Sequence, residues 1–185
     1  MVAKAEARLT RAQAEGRSYA LPDNEASRAF QEKFRSIRSE PGALLEALHL
    51  AQKAFGYLPK PVLGWIAQEL RLPRNQVYST ATFYHMLSLK PEAKYVIRVC
   101  DCLPCYLEGS EAVSQAVREA AEIPPGETAS GDGLFSLHTT SCIGLCEQAP
   151  AMMINKERYG LLNPEKVHWI ISSLRRKEDT EEGSE

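Results

Sequence analysis

Long apolar runs are absent from this 185-residue sequence, although 44% of its residues are hydrophobic. A membrane-spanning helix needs about 20 consecutive apolar residues, so we expect no insertion into a membrane. The first residues, MVAKAEARLTRAQAEGR, are charged and lack the apolar core of a secretory signal. Glu6 and Glu15 also argue against an organelle transit peptide, which is poor in acidic residues. These absences predict a cytoplasmic protein.

Two kinds of catalytic signal are missing from the sequence as well. No glycine-rich loop follows a predicted strand, so the sequence offers no recognisable nucleotide site. No motif pairs a nucleophile with a general base, so we expect no substrate turnover by this chain alone. The histidines have no paired metal spacing, and we expect them to pack or to face solvent: His49, His85, His138 and His168.

Cysteine is scarce, with five residues in the chain, but all five lie in the second half. The segment VCDCLPCYLEG contains Cys100, Cys102 and Cys105. The segment SCIGLC contains Cys142 and Cys146. In a reducing compartment, clustered cysteines more often bind metal or do redox chemistry than form structural disulfides. The group has one cysteine more than a four-thiolate metal site requires.

Spacing alone leaves three assignments of these cysteines open. The first is a [2Fe–2S] cluster, which requires four thiolates. Its ligands would be the C-x4-C and C-x3-C pairs: Cys100, Cys105, Cys142 and Cys146. The second is a structural zinc, which would take Cys102 and Cys105 together with the second pair. The third is a thioredoxin-like redox pair formed by the C-x2-C interval of Cys102 and Cys105.

The spacing favours the cluster among these three. A binuclear cluster is wider than a single ion, so intervals of three and four residues suit it. A structural zinc usually stabilises a domain too small to build a core, whereas amphipathic elements supply a core here. A redox pair would leave Cys142 and Cys146 without a role. Gly144, between those two cysteines, would let backbone N–H groups approach the sulfurs.

Charge and periodicity divide the chain into two halves. Residues 1–90 carry 13 Lys and Arg against 8 Asp and Glu, a surplus of +5, whereas residues 91–185 carry 9 against 16, a deficit of −7. The first half is helical in pattern, with Phe30, Phe34 and Ile37 on one face. We expect helices in SRAFQEKFRSIR, PGALLEALHLAQKAFG, KPVLGWIAQELRL and PRNQVYSTATFYHML.

The second half predicts the order β-α-β-β-β-α. KYVIRVC is a strand that ends on Cys100, and LFSLHTT is a strand that leads to Cys142, so the two cysteine groups converge if the strands are neighbours. EGSEAVSQAVREAAEI is a helix, for which Ser110 is the expected N-cap. APAMMIN and the stretch around YGLL, joined by KER, predict a hairpin. NPEKVHWIISSLRRK predicts a last helix that is capped by Asn163.

A different function is suggested by IAQELRLPRNQVYSTATFY, which has the helix-turn-helix pattern of a DNA-binding module. With a metal-responsive second half, the chain would then be an iron–sulfur DNA-binding sensor. The second helix, NQVYSTATFYHML, contains no Lys or Arg beyond Arg74 just before it. A recognition helix needs such side chains for phosphates and base edges, so we expect no nucleic-acid partner.

The cysteine motifs also resemble those of a known family. VCDCLPCYLEGSEAV, SCIGLCEQAPAMMIN and YGLLNPEKV, with ATFYHML and LPKPVLGWIAQEL upstream, resemble the thioredoxin-like [2Fe–2S] subunit of the NADH-dehydrogenase module of respiratory complex I. The resemblance covers residues 28–175. The same family includes small subunits of NAD-linked hydrogenases and formate dehydrogenases, some of them soluble and electron-bifurcating. The motifs do not separate these complexes.

The resemblance implies an α+β fold, in which an N-terminal helical bundle precedes a thioredoxin-like [2Fe–2S] ferredoxin domain. It implies one [2Fe–2S] cluster, held by the first and last cysteine of the first motif and both of the second: Cys100, Cys105, Cys142 and Cys146. The chain would be a non-catalytic electron-transfer subunit of an NADH:quinone-type oxidoreductase. FMN and NAD(H) would bind a partner subunit, and further iron–sulfur subunits would complete the complex, through which this cytoplasmic chain would be peripheral to a membrane.

Four segments are expected along the chain. They are a partly disordered N-terminal extension at 1–27, a helical domain at 28–92, the [2Fe–2S] domain at 93–176 and an acidic tail at 177–185. Cys102 departs from the family pattern, which has a small or hydroxylated residue at this position. As a near neighbour of the C-x4-C pair, Cys102 could substitute as a ligand or pack as a small apolar group. We expect packing, with the side chain pointing away from the pair.

Overall fold

The computed structural model of the protein describes residues 19–182. The chain divides into two compact units, Met1–Glu92 and Ala93–Glu185, each with a hydrophobic core of its own. Helices and a mixed sheet together confirm the α+β class. Most of the expected N-terminal extension, and its expected partial disorder, lie outside the described residues. The first described helix begins at Glu25, inside the segment 1–27.

Four helices build the described part of the N-terminal unit. They are α1 (Glu25–Ile37), α2 (Ala43–Phe55), α3 (Lys60–Glu69) and α4 (Arg74–Phe83). The side-chain oxygen of Asn24 accepts a hydrogen bond of 2.8 Å from the N–H of Ser27, which satisfies one free donor of the first turn of α1. Helix α4 ends at Phe83, before the predicted end at Leu87, because Tyr84 adopts an extended conformation.

The core of this unit forms where the apolar faces of the helices meet. Phe30 and Phe34 of α1 are buried, and the Trp65 ring of α3 lies edge-on to both, with ring centroids 5.4 and 4.9 Å apart. Further buried residues are Leu48, Ala51, Leu58, Val62, Ile66, Val77 and Ala81. Burying a side chain such as Leu or Ile contributes about 1.5–3 kcal/mol. Packing therefore stabilises these short helices, which would be marginal in isolation.

The C-terminal unit contains a mixed four-stranded sheet in the order β2-β1-β3-β4. The strands are β1 (Tyr95–Cys100), β2 (Phe135–Thr140), β3 (Met152–Ile154) and β4 (Glu157–Tyr159). Strand β1 runs parallel to β2 and antiparallel to β3, and β4 is antiparallel to β3. The helices are α5 (Leu103–Leu107), α6 (Ser110–Ala120) and α7 (Pro164–Glu182), and a 3-10 turn spans Cys146–Gln148. The predicted order β-α-β-β-β-α is present, with α5 in addition.

One face of the sheet packs against α6 and α7. Because side chains alternate along a strand, Ile97 and Val99 of β1 point into this core, whereas Cys100 belongs to a separate small cluster with Cys105. The helices contribute Val113, Ala116, Val117, Val167, Ile170 and Ile171. Within residues 19–182, no helix is long and apolar enough to cross a membrane.

The hairpin prediction was wrong about the second strand. This strand is Glu157–Tyr159 and includes part of KER, whereas YGLL was expected to form it. The connection is shorter than expected because Asn155 and Lys156 make a two-residue turn, with Asn155 at a left-handed φ of 53°. Asparagine tolerates that conformation better than most residues do.

Two helix ends also differ from the expectation. Gly109, with a left-handed φ of 92°, precedes α6, so the expected cap, Ser110, is the first residue of the helix and is buried. The capping role predicted for Asn163 is confirmed, since its side-chain oxygen accepts from the N–H of Lys166 at 2.8 Å. Helix α7 continues to Glu182 and thus extends into the segment expected to be an acidic tail.

Candidate metal centre

The two cysteine loops leave the sheet at the same edge. Cys100 ends β1 and lies opposite Thr140, the last residue of β2, in the parallel register. The N–H of Asp101 donates to the carbonyl of Thr140 at 3.0 Å, so the pairing continues into the start of the first loop. Cys142 follows two residues after β2. The condition for convergence of the two loops, neighbouring strands, is therefore met.

Helix α5 positions the rest of the first cysteine group. The carbonyl of Cys102 accepts a hydrogen bond of 2.9 Å from the N–H of Tyr106. Pro104 lies in the first turn, where a backbone N–H would have no partner within the helix, so the proline costs no hydrogen bond. Cys105 therefore lies about one helical turn after Cys102, and its side chain is buried beside Cys100.

A tight loop and a 3-10 turn hold the second group. Gly144 has a φ of 76°, a conformation that glycine adopts without steric cost, and its N–H donates to Sγ of Cys142 at 3.4 Å. Cys146 begins the 3-10 turn. The last residue of that turn, Gln148, accepts a hydrogen bond of 2.6 Å from the N–H of Leu161. The chain after β4 thus supports the turn that carries Cys146.

The five sulfur atoms form one continuous group. Those of Cys100, Cys102 and Cys105 lie within 4.8 Å of one another, and so do those of Cys102, Cys142 and Cys146. The Sγ atoms of Cys100 and Cys102 are 3.2 Å apart. Those of Cys142 and Cys146 are 3.3 Å apart. The structure therefore brings together all four residues that the sequence predicts as ligands, as one pair from each loop.

The expected packing of Cys102 is confirmed, since it is half-buried against the small cluster of Cys100, Cys105 and Ala151, but the expected direction of its side chain was wrong. Its sulfur belongs to both groups of thiols, so it points toward the other cysteines and not away from them. Cys102 precedes α5 in an extended conformation, with φ −65° and ψ 159°, and this backbone turns its side chain toward Cys100 and Cys105. Sequence spacing contains no information about this orientation.

Burial differs between the two pairs. Cys100 and Cys105 are each 1% exposed, whereas Cys142 and Cys146 are exposed. Burial, with the hydrogen bond to Cys100, raises the pKa of the Cys105 thiol to about 12. The hydrogen bond with Cys142 and the proximity of its charge raise the pKa of Cys146 to about 11. Such thiols are protonated near neutral pH, so a metal must displace protons when it binds.

The donor set fits a thiolate-bound cluster. All five cysteines are free thiols, and soft thiolates select iron–sulfur clusters or zinc over hard cations. Two backbone contacts add to the fit. Gly144 donates to Cys142, and a backbone hydrogen bond from Ala151 lowers the pKa of Cys105 against the larger effect of burial. Such contacts to the sulfurs stabilise the negative charge of a bound cluster.

Two features of the centre were not predicted from the sequence. Helix α5 exposes Leu103, Tyr106 and Leu107, at 68%, 53% and 73%, next to Cys105. Their i, i+3, i+4 spacing is visible in the sequence, but a five-residue helix is too short to be predicted from it. Gly160 lies against the backbone of Gln148. No turn signal marks that close approach.

Comparisons with known proteins identify the family of the chain. The family model for the thioredoxin-like [2Fe-2S] ferredoxin matches residues 30–175. The HndA subunit of the NADP-reducing hydrogenase of Solidesulfovibrio fructosivorans is 36% identical over 137 residues, which is 74% of this chain and 80% of the relative. A subunit of the NADH-quinone oxidoreductase of Rickettsia bellii (strain RML369-C) is 40% identical over 134 residues, which is 72% of this chain and 80% of the relative.

A solved structure is similar over most of the chain. The crystal structure of an NAD+-reducing [NiFe]-hydrogenase in the air-oxidized state matches with a TM-score of 0.62 and 30% identity, over 76% of this chain. The match covers 24% of the hydrogenase chain, so the present chain spans about a quarter of that protein. The match of the family model to most of the sequence, together with the converging thiols, confirms the resemblance: this chain belongs to the thioredoxin-like [2Fe-2S] ferredoxin family.

Proposed function

We propose that this chain is an electron-transfer subunit that carries one [2Fe–2S] cluster in an NADH-dehydrogenase module of the NADH:quinone oxidoreductase type. The observation that carries the proposal is the convergence of two thiol pairs, from separate loops, at one edge of a parallel strand pair. The similarity to a subunit of an NADH-quinone oxidoreductase supports the kind of complex. When bound, such a cluster accepts and releases one electron.

The ligands in this proposal are the four cysteines that form the two pairs. Cys100 and Cys105 would hold the buried side of the cluster, and Cys142 and Cys146 the exposed side. The buried pair lies against Ala151, with Ile143, Leu145 and Ala149 packed nearby. These apolar neighbours would exclude water from one side of the cluster, while the exposed thiolates leave the other side open to a partner.

The exposed face of α5 is the surface that we assign to that partner. Leu103 and Leu107 are 68% and 73% exposed beside the thiol group, which is unusual for leucine. Large exposed apolar side chains near a site often mark an interaction surface. The partner in this proposal is the subunit that binds FMN and NAD(H), and this position would bring its flavin close to the exposed thiolates.

The N-terminal unit offers a second surface for assembly. Phe83 is 78% exposed and packs edge-on against Tyr84, with ring centroids 5.2 Å apart, and Tyr78 is 48% exposed. Aromatic residues are enriched at protein interfaces. We assign this aromatic surface to contacts with the flavin-bearing subunit or with the further iron–sulfur subunits of the complex.

A second candidate is supported by two of the comparisons. The chain is 36% identical to a subunit of an NADP-reducing hydrogenase, and its fold matches part of an NAD+-reducing hydrogenase. The equivalent subunit of a soluble NAD-linked hydrogenase or formate dehydrogenase would need the same cluster and the same exchange with a flavin. The subunits that copurify with the chain distinguish the two candidates.

The DNA-binding alternative is less well supported by the described helices. Helices α3 and α4 are joined by a short connection, as in a helix-turn-helix. The exposed side chains of α4 and the following residues, however, include Tyr78, Phe83, Tyr84 and Met86. Arg74 is the only cation of α4, whereas a recognition helix needs several contacts to phosphates and bases.

Reconstitution tests the proposed function. The purified chain, incubated anaerobically with iron and sulfide, is expected to bind about two iron and two sulfide ions, as a [2Fe–2S] cluster requires. Electron paramagnetic resonance after reduction would then show one unpaired spin per chain. Binding of zinc with no labile sulfide would contradict the proposal. Copurification with a flavin-containing subunit tests the assignment of the partner, and tight DNA binding without any protein partner would favour the sensor.

A further inference from the structure

We propose that Cys102 is a reserve ligand of the centre, which replaces one lost thiolate of either pair. This inference rests on the proposed function, because it assumes that the paired thiols hold a [2Fe–2S] cluster. Four thiolates complete such a cluster, two on each iron. The fifth thiol is therefore uncoordinated as long as the other four are intact.

The position of the Cys102 sulfur is the first argument. It lies 3.2 Å from Sγ of Cys100, and it shares a 4.8 Å group with Cys100 and Cys105. It also shares a 4.8 Å group with Cys142 and Cys146, the pair from the other loop. Among the described residues, Cys102 is the one cysteine that belongs to both groups. It is therefore the thiol that reaches both sides of the centre without a change of fold.

The contacts of the Cys102 thiol are the second argument. Its sulfur lies within 4.8 Å of the sulfurs of Cys105 and Cys146, one from each predicted pair. Cys102 is half-buried and packs against the small cluster of Cys100, Cys105 and Ala151. A packing role alone would not require its sulfur to lie within 4.8 Å of the exposed thiols of Cys142 and Cys146 as well.

The chemistry of the exchange requires no oxidant or reductant. If one ligand is replaced by serine, the serine hydroxyl that takes its place is a harder and weaker ligand for iron than a thiolate. The Cys102 thiol releases its proton to solvent, and the resulting thiolate binds iron in that position. The number of thiolate ligands and the charge of the cluster are then unchanged.

The test uses one ligand from each pair, in the full-length chain. Cys105→Ser and Cys146→Ser are each prepared with Cys102 present and with Cys102→Ser, and all four are reconstituted beside the wild type. Iron, acid-labile sulfide and the thiolate-to-iron absorption bands are measured. We expect each single variant to retain about half or more of the wild-type cluster, and each double variant about a tenth or less. Cys102→Ser alone is expected to retain the cluster.

Several results would overturn the inference. Equal cluster loss in the single and double variants would show that Cys102 does not replace a ligand. Loss of the cluster in Cys102→Ser alone would show that Cys102 is one of the ordinary ligands. Circular dichroism identifies a variant that fails to fold, and Cys146 is exposed, so its replacement leaves the core intact. If the wild type itself binds no iron and sulfide, the proposed function fails, and not this inference alone.

Discussion

Gly160 lies so close to Gln148 that a β-carbon at position 160 would stand 2.5 Å from Cβ of Gln148 and 2.9 Å from its carbonyl oxygen. Gln148 ends the 3-10 turn that begins at Cys146. The turn, which carries the exposed thiol of Cys146, can therefore take this position only because residue 160, just after β4, is a glycine.

Gly160→Ala is expected to displace the 3-10 turn, because the contacted atoms include backbone that cannot rotate away. Overpacking of this kind costs about 1–3 kcal/mol. The variant should unfold at lower urea concentration and should bind less iron after reconstitution. Gly131→Ala is the matched control, since a β-carbon there would meet nothing within 4 Å. Equal iron content in the two variants would contradict the role assigned to Gly160.

Removal of the cluster should weaken the C-terminal unit without unfolding it. The main core, which includes Ile97, Val117 and Ile171, is separate from the small group of buried side chains around Cys100 and Cys105, where the [2Fe–2S] cluster would bind. Apolar burial in that core is independent of metal, unlike in a zinc finger, which unfolds without its ion. After chelation we expect helical and sheet circular dichroism to persist and thermal unfolding to stay cooperative, at a lower temperature. A random-coil spectrum for this unit would contradict the prediction.

Acid should weaken the attachment of the α7 end to β1. Glu178 contacts the Lys94 ammonium group and accepts a hydrogen bond of 2.6 Å from the Tyr95 hydroxyl, and these partners lower its pKa. A carboxylate whose pKa is lower in the folded than in the unfolded chain stabilises the fold above the unfolded value. That contribution is lost as the pH falls through the folded pKa.

Glu178→Gln tests this dependence. The variant should be less stable than the wild type at neutral pH, and the difference in the free energy of unfolding should shrink as the pH falls below the ordinary carboxyl range. Urea unfolding at a series of pH values measures it. If the difference in the free energy of unfolding stays constant from neutral pH to a pH of about 3, the charge of Glu178 does not contribute to stability.

The aromatic surface of the N-terminal unit should matter for assembly and not for folding. Phe83 is 78% exposed, so Phe83→Ala should change the free energy of unfolding by less than about 0.5 kcal/mol. Ile66 is fully buried, so Ile66→Ala should cost about 2–5 kcal/mol. We expect Phe83→Ala to weaken copurification with the flavin-bearing subunit while urea unfolding stays unchanged. An equal loss of stability in both variants would show that Phe83 is part of the fold.

Periodicity and residue type were sufficient for much of this description. The short β-branched run in KYVIRVC predicted a strand that ends on Cys100, and the apolar spacing of Phe30, Phe34 and Ile37 predicted the buried face of a helix. The confinement of all five cysteines to two short segments predicted their chemistry, because few roles other than metal binding use clustered thiols in a reducing compartment. These signals are local, so the sequence alone contains them.

Contacts between distant segments depended on the folded chain. The orientation of Cys102 follows from the backbone before α5 and from the meeting of two loops, so spacing predicted it wrongly. The close approach of Gly160 to Gln148 exists because β4 returns beside the second loop. The register that places Cys100 opposite Thr140 depends on the pairing of strands separated by two helices. Each of these is set by packing between elements far apart in the chain, which no local pattern encodes.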